Sequence, residues 1–432
     1  MVQAKRVVRV GSLVIVWLLA WPGSWAGPPS DAAVSAEPER QAVLANWPGF
    51  RGPFGQAVCS GRQPPLDWDG ASGRNVLWKV PVPLPGNSSP VVWSDRVFLT
   101  GATEEKRQVY CFDANTGQLR WQRSVENVPG APAKSPEVLP EAGYAPATAA
   151  CDERHVVALF ANADLACFDL HGSRLWARNL GPLKVDYALA SSPLLHDGRL
   201  FLQIDEREGG RVLAFDVKTG RIIWQKRRRL KSCWSSPLLA RVRGQWQLVV
   251  NGNPSVTAYD PATGRQLWQV KCLDGEVTAS PAFCDGLIVV AQDYAACVAI
   301  DGRTGQQRWR QEDLDLPDVP SPVAARGRVF IPTSFGPFAC LQLETGETVW
   351  THEFDEGAYA SPVIVDDKVF LMDLSGRMHI FLAADSFRPV ATPALGEPSN
   401  STPAFVGNRI YIRSRRHLFC VGTRPQAAGQ TE

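Results

Sequence analysis

The sequence has no excess of charge of either sign. Its 432 residues carry 45 Lys and Arg against 43 Asp and Glu, which gives a formal net charge of +2. This balance provides no general attraction to nucleic acid or to anionic lipid and disfavours nucleic acid as a partner. With 45% hydrophobic residues and only 36 Gly and 34 Pro, the chain is also neither collagen-like nor disordered. The composition indicates a large globular protein.

Signatures of hydrolytic and zinc chemistry are missing as well. The six His form no HExxH or HxxxH pair, the ten Cys form no CxxC spacing, and no GxSxG elbow occurs. Metal-dependent hydrolysis, a zinc site and the nucleophile of an α/β-hydrolase therefore have no support in the sequence.

Residues 1–26 have the features of a secretory signal peptide. Three basic residues precede an apolar stretch (Val10 to Trp21) that is shorter than the about 20 residues of a membrane span. Ser24 and Ala26 then place small residues where signal peptidase reads the chain. We expect cleavage after this segment, a flexible leader over 27–45, and a periplasmic or extracellular protein without a membrane span. An uncleaved anchor is the alternative.

One phrase recurs along the chain: an Asp, two residues, Thr-Gly, three residues and Trp. Four copies are complete, at Asp113 to Trp121, Asp216 to Trp224, Asp260 to Trp268 and Asp301 to Trp309, and weaker copies run from Gln342 to Trp350 and from Asp169 to Trp176. The Asp and Gly are typical of a tight turn, in which Asp binds turn amides and Gly accepts positive φ. The Trp then lies on the following strand, where it can cover a neighbouring sheet.

A second phrase, Ser or Thr followed by Pro and an apolar run, opens each unit. It occurs at Pro90, Pro193, Pro237, Pro281, Pro322, Pro362 and Pro403, with Pro146 in a looser version. The separations of 40 to 56 residues match one four-stranded blade of a β-propeller.

The two ends of the repeat array complement each other. The last unit lacks an outer strand, and the segment around Trp78 reads as an outer strand without inner strands of its own. We therefore predict an all-β, eight-bladed propeller of four-stranded blades over 75–421, closed by the N-terminal outer strand. Residues 46–74 are expected to pack on its outside or bottom, and 422–432 form a polar tail. Seven blades is the alternative if Pro146 begins an insertion. The structural Trp residues of the repeat are Trp78, Trp121, Trp176, Trp224, Trp268, Trp309 and Trp350.

The cysteines do not form a dense disulfide framework. Four of them share one repeat position with Ala in other copies, which indicates small buried strand residues: Cys111, Cys167, Cys340 and Cys420. One or two disulfides remain open among Cys59, Cys151, Cys233, Cys272, Cys284 and Cys297.

The phrase Ala/Cys-Phe-Asp-xx-Thr-Gly-xxx-Trp resembles the tryptophan-docking repeat of pyrroloquinoline-quinone (PQQ) dehydrogenase propellers, over almost all of 75–421. The same repeat occurs in the outer-membrane assembly lipoprotein of the β-barrel insertion machine. Segments 47–53 and 86–92 resemble exported PQQ-like repeat proteins of planctomycete-type bacteria. The chain departs from these families because it has no adjacent Cys pair, no CxxCH haem site and no lipobox Cys. The resemblance thus implies the fold more firmly than a function.

Loops on one face of such a propeller are expected to ring the mouth of its channel. The resemblance suggests PQQ and calcium as ligands there, with an aromatic floor and oxygen donors. Candidate cofactor-binding residues are Asn87, Trp234, Asn251, Asp293 and Tyr359, and candidate calcium ligands are Asp164, Asp205, Asp293 and Asp373. The alternative interpretation is that Asp and Asn occur in these loops only because turns favour them.

We expect an exported, monomeric, non-catalytic propeller that binds a protein or polysaccharide partner through its channel face. Two alternatives stay open. One is a PQQ- and calcium-dependent alcohol or sugar dehydrogenase, or a relic that still binds the quinone. The other is a scaffold for outer-membrane protein assembly.

Overall fold

A computed structural model describes residues 39–185, 187–231 and 233–423. The predicted signal peptide, most of the leader and the tail from 424 onward lie outside these residues. The chain divides into units 1–41 and 42–432, and the propeller belongs to the second. Residues 39–45, at the end of the predicted leader, form a short helix, because their sequence (ERQAVLA) is made largely of strong helix formers. No helix in the described segments is long and apolar enough to cross a membrane.

Eight sheets, each with four antiparallel strands, follow one another along the chain, which confirms the predicted eight-bladed propeller. In one sheet a fifth strand, Val58–Cys59, pairs in parallel with the first strand, Val363–Val365. The first strands of neighbouring blades contact each other around the axis. In order from the axis outward, the strands of the first four blades are Val91–Trp93, Arg96–Ala102, Arg107–Asp113 and Leu119–Ser124 (blade 1); Ala150–Cys151, His155–Leu159, Asp164–Asp169 and Arg174–Asn179 (blade 2); Leu194–His196, Arg199–Glu206, Gly209–Asp216 and Ile222–Arg228 (blade 3); and Leu238–Val242, Gln245–Val250, Ser255–Tyr259 and Gln266–Lys271 (blade 4).

The second half of the ring is built in the same way. Its strands are Ala282–Cys284, Leu287–Gln292, Ala296–Asp301 and Gln307–Gln311 (blade 5); Val323–Ala325, Arg328–Ile331, Pro337–Gln342 and Thr348–Glu353 (blade 6); Val363–Val365, Lys368–Met372, Met378–Leu382 and Pro389–Ala391 (blade 7); and Ala404–Val406, Arg409–Arg413, His417–Gly422 and Val76–Pro81 (blade 8). Central strands are buried on both faces, as stacked blades require.

The outer strand of blade 8 comes from the N-terminal part of the chain. Val76–Pro81 pairs antiparallel with His417–Gly422, and Trp78 lies opposite Cys420. The predicted closure is confirmed, and the seven-blade alternative is not needed. The start of blade 2 differs from the prediction, because Thr148-Ala149 and not Pro146 occupies the position of the Ser/Thr-Pro phrase.

Each repeat Trp docks on the next blade. Its indole Nε1 donates a hydrogen bond of 2.7 to 3.2 Å to a carbonyl oxygen one residue after the Asp position of that blade, or two residues after it in blade 7. The pairs are Trp78 with Ala114, Trp121 with Leu170, Trp176 with Val217, Trp224 with Pro261, Trp268 with Gly302, Trp309 with Leu343 and Trp350 with Ala384. In six of these junctions the Trp side chain also covers the Gly of the turn, which follows Thr in five blades and His171 in blade 2. The repeat phrase therefore joins blades as well as forming hairpins.

The junction between blades 7 and 8 lacks a docking Trp. Here the N-terminal extension lies against the ring, since Gly70 N donates to Ala394 O at 2.9 Å and Asp69 forms a parallel bridge with Ala394. Trp68 is buried in the same core cluster as Leu395. The extension thus supplies apolar contact at the place where the repeat is degenerate.

All ten cysteines are free thiols, and nine of them are buried. Burial raises the pKa of Cys59 to about 11 and that of Cys111 to about 12. These thiols therefore act as small apolar core residues, as the shared Ala/Cys position suggested.

Candidate functional site

Residues 47–59, part of the predicted N-terminal extension, cross the propeller axis and contact the inner strands. We call this segment the plug. The plug contacts all eight blades. Backbone hydrogen bonds join Trp47 to Val92 (blade 1), Pro48 O to Cys151 N (blade 2) and Ala57 O to Ile364 N (blade 7), while side chains donate from Gln56 to Leu239 O (blade 4) and from Arg51 to Pro281 O and Pro322 O (blades 5 and 6). Aromatic contacts join Phe54 to His196 (blade 3) and Trp47 to Phe405 (blade 8). The plug occupies the part of the channel that lies between the inner strands, because these strands leave space on the axis for its side chains.

Arg51 places a buried positive charge between the inner strands of blades 5 and 6. The side chain is fully buried, and its Nη1 donates to Pro281 O at 2.7 Å and its Nη2 to Pro322 O at 2.5 Å. Burial lowers the pKa of Arg51 to about 9. It forms no ion pair with any carboxylate in the described part of the chain. The guanidinium is therefore solvated by carbonyl oxygens alone.

A closed ring of hydrogen bonds runs around the channel at the start of the inner strands. In each blade the hydroxyl of the Ser or Thr accepts the backbone N–H of the equivalent residue in the preceding blade, at 2.8 to 3.1 Å. We call it the hydroxyl ring; its members are Ser89, Thr148, Ser192, Ser236, Ser280, Ser321, Ser361 and Thr402, all buried. The Ser/Thr of the opening phrase therefore links neighbouring blades, which its recurrence alone did not reveal.

All eight members of the hydroxyl ring line a cavity of about 300 Å³ on the channel axis. Phe50 of the plug lines it too, together with three aromatic side chains of the loops, Tyr187, Trp234 and Tyr359. The rings of Tyr187 and Trp234 are 5.0 Å apart between centroids. Leu139 also lines the cavity and is 44% exposed. The cavity thus combines polar hydroxyl groups with aromatic and apolar walls.

Three of the five predicted cofactor-binding residues line this cavity: Asn87, Trp234 and Tyr359. Asn251 is buried behind it, where its Nδ2 donates to Ala279 O at 2.8 Å. Asp293 lies in a half-buried loop of blade 5 and is not part of the lining. Burial first, and then the neighbouring carboxylates of blade-connecting loops, raise the pKa of Asp293.

The four predicted calcium ligands lie in four different blades, and three of them have basic partners. Asp164 Oδ2 is 3.2 Å from Arg107 Nε, Asp205 Oδ2 is 2.6 Å from Arg228 Nη1, and Asp373 Oδ2 is 2.9 Å from His379 Nε2. Burial raises the pKa of Asp205, against the effect of Arg228. For Asp373 the effect of burial is outweighed by hydrogen bonds, mainly from His379, and the pKa is lowered.

These carboxylates do not come together. Across the described residues, no three His, Cys, Asp or Glu side chains form a group placed to hold a metal ion. Of the two predicted sets of loops, the cavity lining contains the candidate residues that precede inner strands and none of those between second and third strands. The plug residue Phe50 and the loop residues Leu139 and Tyr187 were missed because they belong to segments outside the repeat.

Comparison with known proteins agrees with this architecture. A family model described as outer membrane protein assembly factor BamB matches residues 56–202, 105–251 and 298–422, which together span more than half of the chain. The chain belongs to this family of PQQ-like propellers. No curated protein sequence matches it.

Several solved structures resemble this PQQ-like propeller. BamB from Moraxella catarrhalis has a TM-score of 0.61 and 15% identity, covering 82% of this chain and 99% of its own. A europium-containing methanol dehydrogenase has a TM-score of 0.69 and 12% identity, with 90% and 100% covered. The computationally designed Ika8 protein has a TM-score of 0.59 and 12% identity, with 81% and 99% covered. At such low identity these likenesses establish the fold alone.

Proposed function

We propose that this protein is an exported, non-catalytic propeller whose channel face binds a segment of a protein partner. The cavity on the axis carries the proposal, because its mouth combines aromatic walls with exposed apolar side chains. Leu139 and Tyr187 are 44% and 40% exposed, and Val319 is 39% exposed. Exposed apolar and aromatic residues around a pocket are the usual anchors of protein recognition.

The space around the cavity fits an extended chain better than a compact small molecule. A wider cleft of about 840 Å³ shares Asn87, Tyr359 and Asn400 with the cavity and continues on the same face. A partner segment that enters the cavity therefore has a groove along which the rest of it can lie. The matched family is described as an outer membrane protein assembly factor, which supports binding of a protein partner in the cell envelope.

Site-specific photo-crosslinking tests this proposal. We expect a photoreactive residue at Leu139, at the mouth, to form a discrete protein adduct in cells, and the same residue at Leu119 to form none. Leu119 is the matched control, because it is also a Leu, is 42% exposed and lies on an outer strand. Adducts with polysaccharide instead of protein, or equal adducts at the two positions, would contradict the proposal.

A quinone-dependent dehydrogenase is the second candidate function, favoured by the aromatic pair of Tyr187 and Trp234. The cavity lining fits the calcium ion of such an enzyme less well than the aromatic pair fits its quinone. A calcium ion takes six to eight oxygen ligands, and Glu141 is the single carboxylate among the described residues lining the cavity. Calorimetric titration of PQQ in calcium decides between the candidates. Tight, calcium-dependent binding that is lost in Trp234→Ala would favour the dehydrogenase.

Export and oligomeric state belong to the same proposal. We expect the mature chain in the periplasm or medium, without its first 26 residues, and as a monomer. N-terminal sequencing of the exported protein and light scattering measure both properties, and an intact N-terminus or a dimer would contradict them.

A further inference from the structure

We propose that the inner end of the axial cavity binds a carboxylate group, held by the hydroxyls of Ser280 and Ser321 next to the buried Arg51. The carboxylate belongs either to a small free acid or to a partner segment. The inference rests on the proposed function only if the carboxylate belongs to a partner segment.

The first argument is the unused hydrogen-bonding capacity of the hydroxyl ring. A hydroxyl has one O–H donor and two acceptor lone pairs. Each ring oxygen already accepts one backbone N–H, and none of the ring hydroxyls donates to an acceptor in the described part of the chain. Ser280 and Ser321 are at most 4% exposed, and both line the cavity. Buried O–H groups without acceptors favour a ligand that supplies lone pairs.

The second argument is the sign of the local charge. Arg51 binds the carbonyl oxygens of Pro281 and Pro322, the residues directly after Ser280 and Ser321. A buried guanidinium without a carboxylate partner attracts an anion and repels a cation in a medium of low dielectric constant. Without the charge of Arg51, the same hydroxyl oxygens could also bind a cation. Arg51 therefore selects the anion, on the side of blades 5 and 6.

The third argument concerns the kind of anion. Desolvating a doubly charged ion such as phosphate costs far more than desolvating a single charge, and one guanidinium offsets only one charge. A carboxylate carries one charge and accepts up to about four hydrogen bonds. The opposing group is Glu141, which lines the outer part of the same cavity and is exposed. The carboxylate therefore fits at the inner end and not at the mouth.

Binding of acetate and of its neutral analogue acetamide tests the inference. We expect the signals of ¹³C-labelled acetate to broaden and titrate with the purified mature protein at constant ionic strength, while acetamide gives no saturable effect. Equal binding of acetamide, binding of ammonium in preference to acetate, or no binding of acetate in the wild-type protein would each overturn the inference.

Two double variants localise the site. Ser280→Ala with Ser321→Ala removes both donors and should weaken acetate binding at least about tenfold, since hydrogen bonds to a charged group are stronger than those between neutral groups. Ser280→Thr with Ser321→Thr is the matched control, because Thr already occupies two positions of the ring. We expect it to bind acetate within about threefold of wild type. Unchanged binding in the Ala pair would overturn the assignment.

A third variant covers the case in which the Ala pair fails to fold. Glu141→Gln removes the exposed negative charge of the cavity and should tighten acetate binding, with a larger effect at low ionic strength. Weaker binding would count against the site. Short capped peptides that differ only as Gly-Glu-Gly and Gly-Gln-Gly identify the source of the carboxylate. Binding of the Glu peptide points to a partner segment, and binding of acetate without it points to a free acid even if the partner proposal fails.

Discussion

The Gly of a Thr-Gly turn is required for two reasons, its positive φ and its close contact with a docked Trp. Gly305 has a φ of 70°, and a Cβ at this position would lie 2.6 Å from Cβ of Trp268 in the preceding blade. A side chain there is strained by its backbone and also displaces the docked indole. We expect Gly305→Ala to lower the free energy of unfolding by about 3 kcal/mol or more, measured by chemical denaturation.

Gly286 separates the two effects. It lies in the same blade with a φ of 86°, but a Cβ there would have no atom within 4 Å. Gly286→Ala should therefore cost only the backbone term, about 1–2 kcal/mol. Equal losses in the two variants would show that contact with Trp268 does not add to the strain.

Glu397 links the closing strand to the rest of blade 8 through its charge. Its carboxylate is 2.8 Å from Lys79 Nζ and 3.0 Å from His417 Nδ1, and Ser414 donates to it at 2.5 Å. Burial opposes ionisation, but these partners outweigh it and lower the pKa of Glu397 to about 2. Because the folded-state pKa is depressed, the stabilisation is complete above about pH 4.5 and is lost as the pH falls towards 2.

We therefore expect Glu397→Gln to destabilise the protein by about 1–3 kcal/mol at pH 7 and by much less at pH 3. Denaturation curves at the two pH values measure the difference. Glu344→Gln is the control, since this exposed carboxylate is 3.9 Å from Arg308 and should contribute little at either pH. A penalty for Glu397→Gln that does not depend on pH would refute the electrostatic account.

Among the elements, the strand Val76–Pro81 differs from the other outer strands because no hairpin joins it to its partner. Trp78 docks on blade 1 as Trp309 docks on blade 6. Replacing either Trp by Ala should cost about 3–5 kcal/mol. We expect only Trp78→Ala to release the amides of the closing strand, measured by hydrogen exchange of that strand. Equal exposure of it in Trp309→Ala would contradict this role.

The elements also show why the sequence predicted the blades but not all of their boundaries. The Thr-Gly-xxx-Trp phrase is a local signal, because the turn and the docking strand lie within ten residues of each other. The sequence prediction placed the start of blade 2 at Pro146, which is too early. The position is defined by Thr148, whose hydroxyl accepts the N–H of Ser89, and Ala149 stands where the other blades have Pro. The proline marks the position in seven blades but makes none of the hydroxyl-ring bonds itself.

For the molecule as a whole, the sequence did not show which residues occupy the centre. Residues of the plug carry no repeat, and their partners are far away in sequence, as the hydrogen bond from Arg51 to Pro281 shows. For the candidate site too, the sequence did not show which side chains line the cavity. Trp234 and Tyr359, in loops before inner strands, line the cavity, but Asn251, in a loop between the second and third strands, has a buried side chain, because the orientation depends on contacts between blades.

The plug provides a test of what holds the ring together. The hydroxyl ring and the docked Trp residues connect neighbouring blades without it, so the propeller should survive replacement of 48–58 by a Gly/Ser segment of equal length. We expect unchanged β-structure by circular dichroism and a melting temperature lower by at least about 5 °C, because the buried contacts of the plug with most of the blades are lost. The same replacement of loop 131–137, which is mostly exposed, should leave the melting temperature nearly unchanged. An unfolded plug variant would mean that the contacts between blades do not suffice and that the plug is the element on which ring closure depends.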